Sequence, residues 1–382
     1  MYLVTETHQG CFVHTLQLTI KDSIDCQRAV IDVIAKARRI VTHFNHSATA
    51  CDKLKKLQEQ MNVPTKKLIQ DIQTRWNSSY YMLERLLEQK KVISIYILDN
   101  PDLTDQTFHQ WDLVQKLINL LQPFEEITKL SSNRECCISE VIPLVKTLDS
   151  YLSNRSKSAI YSGVDTLRSD LQKNLEKRFN HIFTEESFTL ATLLDPRFKN
   201  SFFDNEGGPI YEILKRKITV QEGGSGIIKT ITDGESDGED NMPLVKLLAM
   251  ERDSGASKSV HDLFWESYEH FAGEGTSGSS KRKQRSAFVE VLDDEIKLYQ
   301  SHPIISRNKN PVQWWNDNKL RFPNLFPQAA IYLSAPAGSV PSEQVFSEAG
   351  NIYDAKCSRL TSDRAESLLF LHHNLPKLNY QY

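Results

Sequence analysis

Apolar side chains recur along most of this chain at intervals of three and four residues. In DCQRAVIDVIAKARRIVTHFNH (25–46), Val30, Val33, Ile34, Ala37, Ile40 and Phe44 share one face and the charges take the other, which predicts an amphipathic helix. Residues 50–60 predict a short Lys-rich helix stopped before Pro64. Further helices are predicted by YYMLERLLEQKKVISIYIL after Ser78, by WDLVQKLINLLQPFEEITKLSS (111–132), and by 138–153 and 164–180. No stretch alternates for long enough to predict a sheet, and short runs such as Ile182–Phe183 fit a strand or a buried helix equally well. The fold class read from this pattern is mainly α.

The pattern breaks after Phe203. Eleven of the 15 glycines lie between Gly207 and Gly278, and five acids occupy the eight positions from Asp233 to Asp240. High backbone entropy with little apolar surface predicts flexible or disordered stretches at about 219–241 and 272–286, with helices at Met242–Met250 and Ser259–Phe271 between them. Order is expected to resume at Phe288 with AFVEVLDDEIKLYQ. Asn310–Phe326 then holds Trp314, Trp315, Phe322 and Phe326, and each such ring can cover ~150–250 Å². Pro341 suits the first turn of a helix after Ser339. Asp363 and Glu366 have capping-box spacing at the start of AESLLFLHHNL, which Pro376 ends. No internal repeat is visible.

Composition adds limits. Of 382 residues, 40% are hydrophobic and 25% charged, as in ordinary globular proteins. A net charge of −3 gives no global pull toward nucleic acid, but residues 1–91 carry 14 Lys/Arg against 9 Asp/Glu. That local excess suits either phosphate contact or a solvated helix surface. The six cysteines form no CxxC pair, and the neighbours Cys136 and Cys137 are poorly placed to bridge, so reduced thiols in an intracellular compartment are expected. MYLVTETHQGCFVH lacks the charged start and apolar run of a signal peptide. No window approaches the ~20 apolar residues that span a bilayer, so no membrane association is expected.

Four blocks then carry a resemblance. CFVHTLQL (11–18), DIQTRWNSSYYMLERLLEQ (71–89), LATLLDPRFKN (190–200) and the stretch from PVQWWNDNKLRFPNL to SVPSEQVFSEAGNIYDAKCSRLTSDRAESLLFLHHNL (311–375) resemble, in order, the CxxH motif, the TRWNS block, the LDPRFK block and the C-terminal dimerisation region of hAT-family transposases, most closely their BED-zinc-finger branch. The resemblance implies the remnant of a ribonuclease-H-like core over 1–90, a helical insertion with acidic and Gly-rich loops over 91–286, and a dimerisation region over 287–382. In the family's enzymes an Asp, Asp, Glu triad serves DNA phosphoryl transfer, where two metal ions clamp the attacking and leaving oxygens. The third carboxylate of that pattern falls on Glu343. Both aspartates belong upstream of the CxxH motif, where this chain offers only Glu6. The expectation is a vestigial Glu343, no catalytic residues, no metal and no cofactor.

The remaining site residues follow from the same blocks. Cys11 and His14 lack a second close pair of ligands, so they are read as a small buried thiol and a hydrogen-bonded imidazole rather than zinc ligands. Arg75 and Trp76 match the family's RW pair and are DNA-contact candidates, since a guanidinium grips phosphate and an indole stacks on an unpaired base. On the competing reading Trp76 anchors the next helix while Arg75 pairs with Asp71. Asp195 is read as a turn residue before Pro196. The resemblance assigns Trp314, Trp315, Phe322, Phe326, Phe346, Leu368, Leu369 and Leu371 to dimerisation. Lys281, Arg282, Lys283 and Arg285 are candidates for nuclear import or a nucleic-acid patch, and the family is nuclear. The expected protein is a nuclear homodimer, or a hetero-oligomer with related proteins, acting beside DNA in transcription regulation. Two other readings stay open: an active transposase whose missing part a longer product supplies, and a nuclear adaptor without DNA contact.

Overall fold

The computed structural model describes residues 10–132, 136–153, 163–228, 279–339, 342–343, 345–346, 349–350 and 361–375. The chain divides into two compact units, Met1–Gly207 with Ile304–Leu320 and Phe326–Tyr382, and Gly208–Pro303 with Arg321–Leu325. The expected boundary near residue 90 falls inside the first unit and that near 286 inside a helix of the second. Among the described residues there is no β-strand, only an isolated antiparallel bridge between Cys137 and Pro336.

In the first unit the helices are α1 (Phe12–Asp25), α2 (Arg28–His46), α3 (Ala48–Gln60), α4 (Trp76–Glu88), α5 (Lys90–Leu98), α6 (Phe108–Ser131), α7 (Val141–Ser153), α8 (Asp165–Phe179) and α9 (Glu186–Leu194). The face read on α2 is the buried one, with Val33, Ala37, Ile40 and Phe44 all in the core. The single helix expected after Ser78 instead breaks into α4 and α5 at Gln89, whose buried amide accepts from Gln58 Nε2 at 2.9 Å. The ambiguous Ile182–Phe183 lies in a 3₁₀ turn, Asn180–Phe183, with Ile182 buried.

Polar contacts lock two of these packings. Helix α1 lies along α8, with Phe12 against Phe179 (ring centroids 5.4 Å apart). Beside that contact Asn174 donates to Ser23 at 2.9 Å and Arg178 pairs with Asp22. Pro123 sits inside α6. It removes the amide that would bond the carbonyl of Asn119, and the Tyr151 hydroxyl from α7 donates to that carbonyl at 3.0 Å. The proline therefore creates an acceptor that the neighbouring helix uses.

The LDPRF block holds the strongest polar node. Asp195 is buried, not simply a turn residue, and its carboxylate accepts from the Ser139 hydroxyl at 2.6 Å. Arg197 donates to it through its backbone amide at 3.0 Å and twice through its guanidinium, Nε at 3.0 Å and Nη2 at 2.7 Å. The same Nη2 reaches Glu140 at 3.2 Å. Burial raises the Glu140 carboxyl, and the Arg197 charge only partly offsets this. Around the node the Trp315 indole, from α10 (Pro311–Asn318), donates to the Leu194 carbonyl that ends α9, at 2.8 Å. Ile305 N donates to Pro196 O at 3.1 Å. The C-terminal part of the chain is thus fastened to the LDPRF turn.

The second unit pairs α11 (Gly208–Ile228) with α12 (Ser279–Ser301). Tyr211, Leu214, Ile218, Leu292 and Tyr299 are buried there, and Lys215 pairs with Asp293 at 2.6 Å. Glu295 accepts from the amides of Asn324 and Leu325 at 2.9 and 2.8 Å, so a carboxylate caps the start of α13 (Leu325–Leu333). Two expected flexible stretches need correction, because 219–228 continues α11 and 279–286 begins α12. Helix propagates from residues already held by packing, and the Lys, Arg and Gln of 281–285 favour it. Residues 229–278, Pro341 and Pro376 lie outside the described residues. The last helix, α14 (Ser362–Asn374), corrects the expected capping box: Thr361 is the N-cap, no side chain caps it, and Asp363 lies in the first turn.

Asp195→Ala is expected to cost about 3–5 kcal/mol of stability in urea unfolding, because it strips the largest share of compensation from the buried Arg197 charge. Replacing both partners, Asp195→Leu with Arg197→Met, should cost less than the single change. A single variant as stable as the wild type would refute this account of the node.

Candidate functional site

The RW pair sits where α1, α2 and α4 converge. Asp71, in the loop before α4, has its side chain fully buried. Arg38 of α2 grips it with two atoms, Nε to Oδ1 at 2.9 Å and Nη2 to Oδ2 at 2.6 Å. Ser79 Oγ on α4 adds a hydrogen bond at 3.0 Å and Gln70 Nε2 one at 3.2 Å. Burial pushes the carboxyl up, but the hydrogen bonds from Arg38 and Ser79 and the Arg38 charge outweigh it and leave Asp71 below its ordinary value. Next along the chain Ser78 Oγ accepts from Ile72 N at 2.8 Å and donates to Arg75 O at 2.6 Å. Gln17 of α1 bonds the carbonyl of Thr74. The loop backbone is thus held at Ile72 and Arg75 from α4 and at Thr74 from α1.

The expected pairing of Arg75 with Asp71 is therefore wrong. Arg38, 33 residues away in sequence, takes the carboxylate, while Arg75 is exposed and its side chain has no partner among the described residues. Trp76 opens α4, is 8% exposed, and meets Tyr80 edge-on at 6.2 Å. It anchors the helix, and its ring is not laid open as a platform for an unpaired base. It does line a cavity of about 430 Å³ together with Ile24, Ile31, Ile34, Gln17, Lys21, Asp25 and Arg38. Of its two lining cations Arg38 is held by Asp71, while Lys21 is exposed and has no partner among the described residues.

The other expected site residues scatter. Cys11 is half-buried at the start of α1, and its sulfur accepts from Ser339 N at 3.4 Å. A Cβ added at Gly338 would come within 2.8 Å of that sulfur, so the 337–339 segment can press against α1 only with glycine there. His14 is exposed and its ring has no hydrogen-bond partner among the described residues, which corrects its reading as a hydrogen-bonded imidazole. Glu343 is exposed and accepts from the Ser339 hydroxyl at 2.6 Å. Trp315 and Phe322 are 1% and 0% exposed inside their own units. As dimer contacts they are corrected, because a ring buried within one chain offers nothing to another. Trp314 stacks edge-on against Trp315 at 5.1 Å and, like Phe326 and Leu369, is half-buried. Phe346, Leu368 and Leu371 are exposed. The side chains of Lys281, Arg282, Lys283 and Arg285 lie outside the described residues. Sequence reasoning missed Arg38 and Gln17 as the groups that hold the loop; an arginine within an otherwise apolar-backed helix was the available signal.

Asp71→Asn is expected to lose roughly 1.5–3 kcal/mol at neutral pH. A lowered folded pKa means that this stabilisation is complete above the unfolded value of about 3.9 and is lost as pH falls through the lower folded value. The wild-type and variant stability curves should therefore converge in acid. Curves that stay parallel down to the acid limit would contradict the assignment.

Comparison with known proteins completes the description. Residues 10–120 match the model of the ZBED1 RNase-like helical domain and residues 295–375 that of the hAT family C-terminal dimerisation region. The chain is 28% identical over 377 residues to human zinc finger BED domain-containing protein 4, covering 97% of this chain and 30% of that protein. It is 29% identical over 387 residues to mouse zinc finger BED domain-containing protein 6, covering 98% and 38%. A putative AC transposase of Zea mays is 22% identical over 383 residues, covering 95% and 43%. The chain thus spans well under half the length of each of these relatives. With two domain matches and similarity that runs along nearly the whole chain, the protein is similar to hAT-type proteins that contain a BED zinc finger.

Proposed function

We propose that this chain is an association module that works beside DNA in the nucleus, in transcription regulation, and has no cut-and-paste chemistry. The observation that carries the reading is the apolar surface of α14. Leu368 and Leu371 share one face of the helix, and they are 48% and 44% exposed. The helix lies inside the stretch that matches the hAT dimerisation region. Exposed apolar residues gathered on one element mark association sites. The partner is a second copy of the chain or a related protein with the same region.

DNA contact in this reading is electrostatic. Lys21, Arg39, Lys67 and Arg75 are exposed and unpaired among the described residues of α1, α2 and the loop that leads into α4, and the 1–91 stretch has a basic excess. Trp76 contributes by fixing Arg75 in place. The absence of catalysis in this reading rests on Glu343, which joins no group of three or more metal-binding side chains among the described residues; a two-metal centre needs several carboxylates converging on the metals.

Two measurements test the proposal. In sedimentation at micromolar concentration, Leu368→Ser with Leu371→Ser should shift the wild-type dimer toward monomer with an unchanged helical circular dichroism spectrum; a wild type that stays monomeric would overturn the association reading. In gel shifts against salt, affinity for duplex DNA should fall steeply as salt rises, and Arg75→Ala should reduce the slope by about one counterion. Binding that ignores both salt and Arg75 would favour the adaptor without DNA contact.

A further inference from the structure

A second cavity, of about 440 Å³, opens in the first unit between the end of α6, the Cys136–Glu140 turn, the loop before α10 and the 333–336 segment. Its volume is in the ~300–1,000 Å³ range of pockets that accept a ligand group. The wall carries Leu130, Val312, Leu333 and Pro336. Leu130 and Val312 are each 48% exposed, so the apolar surface continues from the cavity onto its rim.

The charges lining the cavity are of two kinds. Arg197 is committed to Glu140 and to Asp195, which lie at 3.2 and 2.7 Å from its Nη2. Arg307 and Lys309 also line the cavity, are exposed, and have no side-chain partner among the described residues. The start of α10 is not an open donor, since the Asn310 side chain already accepts from Val312 N and Gln313 N at 2.8 and 3.2 Å. What remains for a ligand is the apolar patch of Leu130, Val312, Leu333 and Pro336 within an otherwise polar lining, with the exposed cations Arg307 and Lys309 beside it.

That combination discriminates between anionic partners. Duplex DNA can meet Arg307 and Lys309 through its phosphates, but a phosphodiester leaves the exposed apolar surface of Leu130 and Val312 uncovered. A peptide can place one apolar side chain in the hollow and carboxylates at the mouth, which uses both features. We infer that this cavity is a docking site for a short segment of a partner protein that presents an apolar side chain flanked by acidic residues. The site lies apart from α14 and the RW loop, so it adds a third contact to the proposed association and DNA-binding surfaces.

The test is to pan a random-peptide phage library against the full chain, and separately against the Arg307→Glu/Lys309→Glu variant. Wild type should enrich peptides in which Leu, Ile, Phe or Met is bracketed by Asp or Glu. Synthetic versions of these should lose about tenfold or more in affinity, by fluorescence anisotropy, on the double variant and on Val312→Ser. All three substitutions are on exposed side chains, and circular dichroism confirms that each variant keeps its helices. No enrichment, enrichment shared equally by the variant, or selection of basic peptides would each overturn the proposal. Displacement of the selected peptides by duplex DNA would likewise overturn it in favour of a phosphate site.

Discussion

The carboxylate of Asp195 joins stretches of the first unit that are far apart in sequence. It takes the hydroxyl of Ser139 and both the amide and the guanidinium of Arg197, and Arg197 in turn reaches Glu140. Burying an aspartate and an arginine is costly unless their donors and acceptors are met. Meeting them fixes the turn after α9 so closely that its neighbours dock on it. Trp315 caps α9 through Leu194, and Ile305 bonds Pro196. Thr192 ties the same turn to Ser139 O at 3.1 Å. Without the ion pair the C-terminal stretch would have no rigid surface to meet. The cavity beside Arg197 has a defined shape for the same reason.

Asp71 does a comparable job at the opposite end of the sequence. It is buried against Arg38 and Ser79, and its position sets the loop from which Arg75 projects. Because Arg38 satisfies the carboxylate, Arg75 keeps its charge unpaired in solvent. A surface cation paired to a neighbouring acid would gain little for stability and would be lost to any phosphate partner. In each case unpaired cations lie near a buried ion pair: Arg75 beside Arg38–Asp71, which is assembled across the fold, and Arg307 and Lys309 beside Asp195–Arg197, which is local in sequence.

The aromatic tail divides its work in a related way. Trp315 and Phe322 contribute to folding inside their units, Phe322 edge-on to Tyr299 at 5.8 Å. Phe346, Leu368, Phe370 and Leu371 are left exposed, and the proposed association would draw on them. Large aromatic rings do dominate interface energetics, but only where they are accessible, and the fold uses two of the four in the 310–326 stretch for its own cores.

The sequence by itself determined the helices and much of their facing. The apolar period of Val33, Ala37, Ile40 and Phe44 is the buried face of α2, and the motif blocks at 11–18, 71–89 and 311–375 fall in the stretches that the two domain models match. These are local properties, set by spacing and by side-chain type. Partner choice is not local. Asp71 had Arg75 four residues away, yet bonds Arg38, because helix packing brings α2 across the loop while the extended backbone at Arg75 turns its side chain to solvent. The glycines of QEGGSGII read as a break, yet α11 runs through them, continuing a helix whose preceding turns α12 already holds. Likewise the burial of Trp315 and the exposure of Leu368 depend on which surface each helix finds. Periodicity can mark a side chain as apolar, but only the tertiary structure decides whether its covering comes from the same chain or is left to another.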